Sequence, residues 1–140
     1  MRLKPKLERN LVDCITLGDS IAKGINIPGC ETRARVGAAS GYIVRNFTQQ
    51  GKRVTVISAG SNDPNNPSLV QNLRKLRSRI KSQVVWILPY NQRAAAAVRK
   101  ASRPGDILVD LRGCPTRDRV HPSSYGCLRR ITNASRTPSK

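Results

Sequence analysis

At 140 residues the chain has the length of one domain, enough to bury a core but not to add further layers or lids. Lys and Arg number 26 against 8 Asp and Glu, a formal net charge of +18, which favours anionic partners such as an acidic glycan, lipopolysaccharide or nucleic acid. No apolar run reaches the roughly 18 residues a transmembrane helix needs, and Tyr42, Phe47, Trp86, Tyr90 and Tyr125 are too scattered to make a base-stacking platform.

In chain order, residues 1–10 form a basic leader without the apolar core of a secretory signal, so synthesis and folding in the cytosol are expected. "LVDCITL" (11–17) is near-continuously apolar, as a parallel strand covered on both faces must be. It runs into Gly18-Asp19-Ser20, a strand-to-helix turn. "RARV" (33–36) is a short second strand, and "SGYIVRNFTQQG" (40–51) a helix stopped by Gly51. "RVTVISA" (53–59) is the third strand. In "NPSLVQNLRKLRSRIK" (66–81) Asn66 is placed to cap and Pro67 to open a helix whose apolar stripe is Leu69, Val70, Leu73, Leu76 and Ile80. "QVVWIL" (83–88) and "DILVDL" (106–111) are the fourth and fifth strands, separated by an Ala-rich helix from Gln92. A short last helix falls within "PSSYGCLRRIT" (122–132), and 133–140 form a basic tail. The division is thus a leader (1–10), one domain (11–132) and a tail (133–140).

Strands alternating with helices predict an α/β chain, a three-layer α/β/α sandwich around a five-stranded parallel sheet. Cys14, Cys30, Cys114 and Cys127 make no CxxC pair and His121 is the only histidine, so no zinc site, and no metal or cofactor, is expected. Cys14 is read as a strand residue and a bridge among the other three is left open. Reduced thiols are the default for a chain without a signal.

Ligands of an open parallel sheet bind beyond the carboxyl ends of its strands. Those ends here carry Gly18-Asp19-Ser20, "GAASG" with Gly41, "GSND" with Asn62, "PYN" with Tyr90 and Asn91, and "RGCPTRDRVHPSSYG" with Asp118 and His121. A serine becomes nucleophilic when an imidazole takes its proton and a carboxylate orients that imidazole; Ser20, His121 and Asp118 are those three parts. The backbone N–H groups of Ser20 and Gly41 and the Asn62 amide are candidate donors to an oxyanion. Asp19 and Asp63 are read as acceptors that stabilise turns. Lys23, Tyr90 and Asn91 border the same strand ends and are candidates for substrate contact.

These blocks, "GDSIAKG", Gly41 in "AASG", "GSND" and "DRVHPS", resemble in order the sequence blocks of the SGNH, or GDSL, hydrolase family, over about residues 11–128. The resemblance implies a flavodoxin-like sheet and metal-independent ester hydrolysis through an acyl-enzyme on Ser20. The shortness of the chain and its charge depart from the family and favour an exposed site for a large anionic polymer. The leading expectation is therefore a serine esterase acting on an acidic bacterial cell-envelope glycan, in a setting such as phage lysis or penetration with virion association. Its rivals are a lysozyme-like enzyme that cuts the glycan backbone, and a basic virion or binding protein that holds nucleic acid or envelope on an idle hydrolase fold.

Overall fold

The computed structural model describes residues 13–47 and 52–136. The leader, the first two residues of the first strand, the end of the second helical segment with Gly51 and the last four residues of the tail lie outside them. Strands β1 (Cys14–Gly18), β2 (Cys30–Ala34), β3 (Val54–Ser58), β4 (Gln83–Leu88) and β5 (Ile107–Asp110) form one parallel sheet in the order β2-β1-β3-β4-β5. That is the flavodoxin-like order, whose switch point lies between β1 and β3. The helices are α1 (Ser20–Ile25), α2 (Ser40–Asn46), α3 (Leu69–Ser78), α4 (Gln92–Ala101) and α5 (Tyr125–Arg136), with a single 3-10 turn at Leu111–Gly113.

The two-residue period of the strands sorts their apolar side chains onto two faces. Ile15, Leu17, Ile57, Trp86 and Leu88 pack with Ile43, Leu73, Leu76 and Val98 under α2, α3 and α4. Val56, Val85, Ile87 and Val109 pack with Ile21, Ile25 and Leu128 under α1 and α5. Both faces are covered, and the three-layer sandwich follows. One charged group is built into the first core: Asp106 meets Arg77 through two bonds of 2.8 and 2.9 Å and accepts the Trp86 indole N–H at 3.0 Å. Burial works against the charge of Asp106, but the Arg77 fork and the Arg103 and Trp86 N–H groups hold its carboxyl below the usual range. The pair thereby locks α3 and the Trp86 ring to the start of β5.

Local details differ from the sequence expectations, each for a physical reason. β2 lies at Cys30–Ala34, not 33–36, because it is a polar edge strand with exposed Glu31, Thr32 and Arg33; its position is set by pairing with β1 and leaves no hydrophobic pattern. α3 begins at Leu69, not at Pro67. Asn66 spends its side chain on a turn, accepting from the Ser68 N–H at 2.9 Å and donating to Asp63 at 2.9 Å. α5 runs on to Arg136, four residues past 132.

The reduced-thiol expectation is corrected outright: Cys14 is bridged to Cys30 and Cys114 to Cys127. The strand register explains the first, since it sets Cys14 opposite Cys30 with their Cα atoms 4.6 Å apart. The second, with Cα atoms 5.9 Å apart, closes the segment between the 3-10 turn and α5, the segment that holds Asp118 and His121. Cys114→Ser/Cys127→Ser is expected to lower stability by about 3 kcal/mol, the loop-closure entropy of a cross-link over a segment of this length. Urea unfolding of the oxidised parent and the double variant measures it; equal midpoints would show that the loop is held without the bridge.

Candidate active site

Gly18 ends β1 with φ +140°, and a Cβ placed on it would lie 1.8 Å from the Ser58 carbonyl oxygen. Only glycine permits that approach, which lets the Asp19 N–H donate to the same carbonyl at 3.1 Å. Asp19 then caps α1: its Oδ1 accepts from the Ile21 N–H at 3.1 Å and from Ser58 Oγ at 2.9 Å, while Oδ2 has no hydrogen-bond partner among the described residues. Asp19 is fully buried. Burial pushes its carboxyl up to about 6, against the lowering effect of Ser58 and the backbone donors.

This shift has a measurable sign. Between about pH 4 and 6 the folded chain retains a proton that the unfolded chain has released, so the Asp19 contribution falls as pH rises, by roughly 3 kcal/mol across the window. Asp19→Asn keeps an oxygen for both accepted bonds and carries no charge. Its stability difference from the parent is expected to change with pH over that window by about this amount in urea denaturation; a difference independent of pH would place the titration elsewhere.

Ser20 is the first residue of α1, so its N–H has no intrahelical acceptor. Its Oγ lies 2.7 Å from His121 Nε2, and His121 Nδ1 lies 2.8 Å from Asp118 Oδ2. The structure therefore brings Ser20, His121 and Asp118, up to 101 residues apart in sequence, into one hydrogen-bonded row. With Nδ1–H directed at Asp118, Nε2 is left to accept from the Ser20 hydroxyl.

The spacing D-x-x-H produces this geometry locally. Asp118 Oδ1 accepts the backbone N–H groups of Val120 and His121 at 2.9 and 2.7 Å, an Asx turn that leaves Oδ2 for the imidazole. The His121 bond first, then these two N–H groups, hold the Asp118 carboxyl well below the usual carboxylate range. Thr116, which the sequence reading passed over, ties the turn together: its Oγ1 donates to the His121 carbonyl at 2.6 Å and accepts from the Arg119 N–H at 2.9 Å. A hydroxyl two residues before the aspartate was the available signal. Pairing of Thr116 with Pro122 closes the loop on itself, and Tyr90 Oη, donating to the Cys114 carbonyl at 2.8 Å, fastens its start to the segment that follows β4. Burial, then the Asp118 charge, raises the Tyr90 phenol, which keeps it a donor.

The loops after β2 and β3 flank Ser20 because those strands flank β1. Gly41 is the second residue of α2, where helix geometry leaves its N–H without an intrahelical acceptor; the Ser40 N–H before it is taken by Asp63 Oδ1 at 3.1 Å. Asp63 also accepts from Ser40 Oγ, the turn-stabilising role expected of it. Asn62 is exposed and donates one amide hydrogen to the Ala38 carbonyl at 2.9 Å, which fixes it to the loop leading into α2.

Of the three candidate contact residues, Tyr90 and Asn91 line a cleft with Asp118, and Asn91 also caps α4 through the N–H groups of Arg93 and Ala94. Lys23 is exposed in the last turn of α1. The His121 and Asp118 side chains are 39% and 56% exposed, so the row sits on an open surface. Among the described residues no group of three or more His, Cys, Asp or Glu side chains is placed to hold a metal, and no helix is long and apolar enough to cross a membrane.

No protein-family model and no curated protein matches the chain. Among solved structures it is similar to the C-terminal catalytic domain of peptidoglycan O-acetyltransferase A from Streptococcus pneumoniae, solved with a methylsulfonyl adduct. The two share 18% identity and a TM-score of 0.57 over 86% of this chain and 88% of that one. The parallel sheet, its strand order and this likeness lead to one statement: the chain has the SGNH hydrolase fold, that of the family its sequence blocks resemble.

Proposed function

We propose that the chain is a serine acyl-ester enzyme acting on a glycan of the bacterial envelope. The observation that carries this reading is the row Ser20 Oγ, His121 and Asp118 Oδ2, with separations of 2.7 and 2.8 Å. His121 Nε2 takes the Ser20 proton as Oγ bonds to the ester carbonyl carbon. The oxyanion is received by the N–H groups of Ser20 and Gly41 and the Asn62 amide, and Asp118 stabilises the imidazolium. Collapse breaks the bond to the alcohol, which leaves with the proton from His121 and keeps the acyl group on Ser20. Water, deprotonated by the same imidazole, then releases the acid and restores the serine.

The charge of +18 supports an acidic polymer as substrate, and the exposed His121–Asp118 pair suits a strand too large for a pocket. Two disulfides fit action in an oxidising compartment such as the envelope. A second reading is favoured by the likeness to a peptidoglycan O-acetyltransferase domain: a sugar hydroxyl replaces water in the second half-reaction and the acyl group is transferred.

Incubation with O-acetylated peptidoglycan separates the cases. Free acetate with intact strands supports the esterase. Acetate moved to an added acceptor glycan supports transfer. Shortened strands without acid release would sink both and favour the glycan-cleaving rival. Labelling by a fluorophosphonate is expected for the parent and not for Ser20→Ala; an unlabelled parent that still binds polyanions would leave the binding-protein reading standing.

A further inference from the structure

The cleft beside Asp118 has a neighbour that shares one of its lining residues. It has a volume of about 340 Å³, with Pro64 in its wall. Pro64 also lines a second groove of about 460 Å³, formed by the segment that leads into α3 and one face of α4. The second groove has a simple construction. Arg93, Ala96, Ala97 and Lys100 stand at i, i+3, i+4 and i+7 on α4, so they share one face, with two small side chains as floor and a cation at each end. The rise of the helix separates the two cations by roughly 10 Å.

Neither Arg93 nor Lys100 has a carboxylate partner among the described residues. Arg93 is instead steered across the groove by Asn65, whose Oδ1 it meets at 3.3 Å. Arg119, exposed and with its backbone held at φ +64°, lines the first cleft with Asp118 and supplies a third cation. The acidic groups that could neutralise this row are committed: Asp118 to His121, and Asp63 to Ser40 and Asn66.

We propose that these two clefts form one continuous track for an acidic glycan strand, reaching from Ser20 and His121 past Arg119 and Pro64 to Arg93 and Lys100. The inference rests on the reading given under Proposed function and deepens it: the substrate is a polymer gripped several units from the reacting ester, not a short ester held at the serine alone. Two cations about 10 Å apart over a small-residue floor, with a third beside the reacting serine's triad, match repeated carboxylates on an extended chain. Nucleic acid fits less well, because the second groove presents no aromatic ring for stacking.

The test uses Ser20→Ala protein, so that binding is read without turnover, and two probes: soluble peptidoglycan strands and the single disaccharide–peptide unit cut from them. Strands are expected to bind more tightly than the unit. Arg93→Gln/Lys100→Gln is expected to weaken strand binding about tenfold, the combined effect of two exposed ion pairs, with a shallower dependence on salt. Lys75→Gln/Lys81→Gln removes the same charge from outside the groove, Lys81 lying at the opposite end of β4 from the strand ends that carry the site. It is expected to leave the strand preference in place.

Equal losses in both double variants would reduce the effect to net charge and overturn the track. So would equal affinity for strand and unit. Single-stranded DNA that binds more tightly than the strands, and loses that binding in Arg93→Gln/Lys100→Gln, would assign the groove to nucleic acid instead. Failure of the enzymatic reading is distinguishable: the parent would hydrolyse and transfer no ester while the strand-length effect on binding remained.

Discussion

Ser20→Ala is expected to lower turnover of a small activated ester by roughly 10⁵- to 10⁶-fold, and His121→Ala by nearly as much. The two losses should not add. Ser20 Oγ and His121 Nε2 are 2.7 Å apart, and the proton that leaves one arrives at the other, so removing either stops the same event. The double variant should therefore match the single ones, with what remains coming from the oxyanion donors and binding.

Asp118→Asn belongs to the same experiment, with a smaller effect. An amide cannot accept and hold the Nδ1 proton as the carboxylate does, and it misorients the imidazole, a change worth up to about 10⁴-fold where the acid is buried. Asp118 is more than half exposed, so water can replace part of its effect and the loss should fall below that bound. Single-turnover rates for the four variants decide the matter. Losses that multiply in Ser20→Ala/His121→Ala would show two independent contributions and break the proposed unit.

The sequence announced the core strands and the site-bearing loops because each leaves a local trace. β4, Gln83–Leu88, begins one residue before its apolar run and ends with it. D-x-x-H is a turn closed by its own backbone, so Asp118 and His121 could be read as a pair before any fold was known. What was not legible depends on pairing at long range. β2 is exposed and polar, and it is located by its ladder to β1. The Cys14–Cys30 bridge follows from that ladder's register, and the Cys114–Cys127 bridge from the docking of α5, neither of which spacing encodes. Reading the thiols as reduced from an expected compartment substituted an argument about location for one about geometry. Asn66 misled for the opposite reason: its side chain had two local uses, a helix cap or a turn, and the demand of Asp63 for a donor selected the turn.

Gly18→Ala is the substitution expected to damage the fold most. The new Cβ would stand 1.8 Å from the carbonyl oxygen of Ser58, at a φ of +140° that side chains other than hydrogen rarely adopt. Backbone strain and overpacking together amount to roughly 2–6 kcal/mol, a large share of the stability of a domain this size. The obstacle is main chain, so no second substitution can clear it: β1 and β3 must separate at their carboxyl ends. The Asp19 N–H bond to Ser58 and the Ser58 bond to Asp19 Oδ1 would be lost with them. Gly24→Ala provides the contrast. There the Cβ meets the Tyr125 ring at 2.4 Å, a side chain that can be shortened. Tyr125→Ala should rescue Gly24→Ala and do nothing for Gly18→Ala, as read from urea midpoints. A Gly18→Ala protein with the parent's midpoint and turnover would mean that β1 and β3 do not approach as closely as drawn, and that the placement of Ser20 does not depend on the glycine before Asp19.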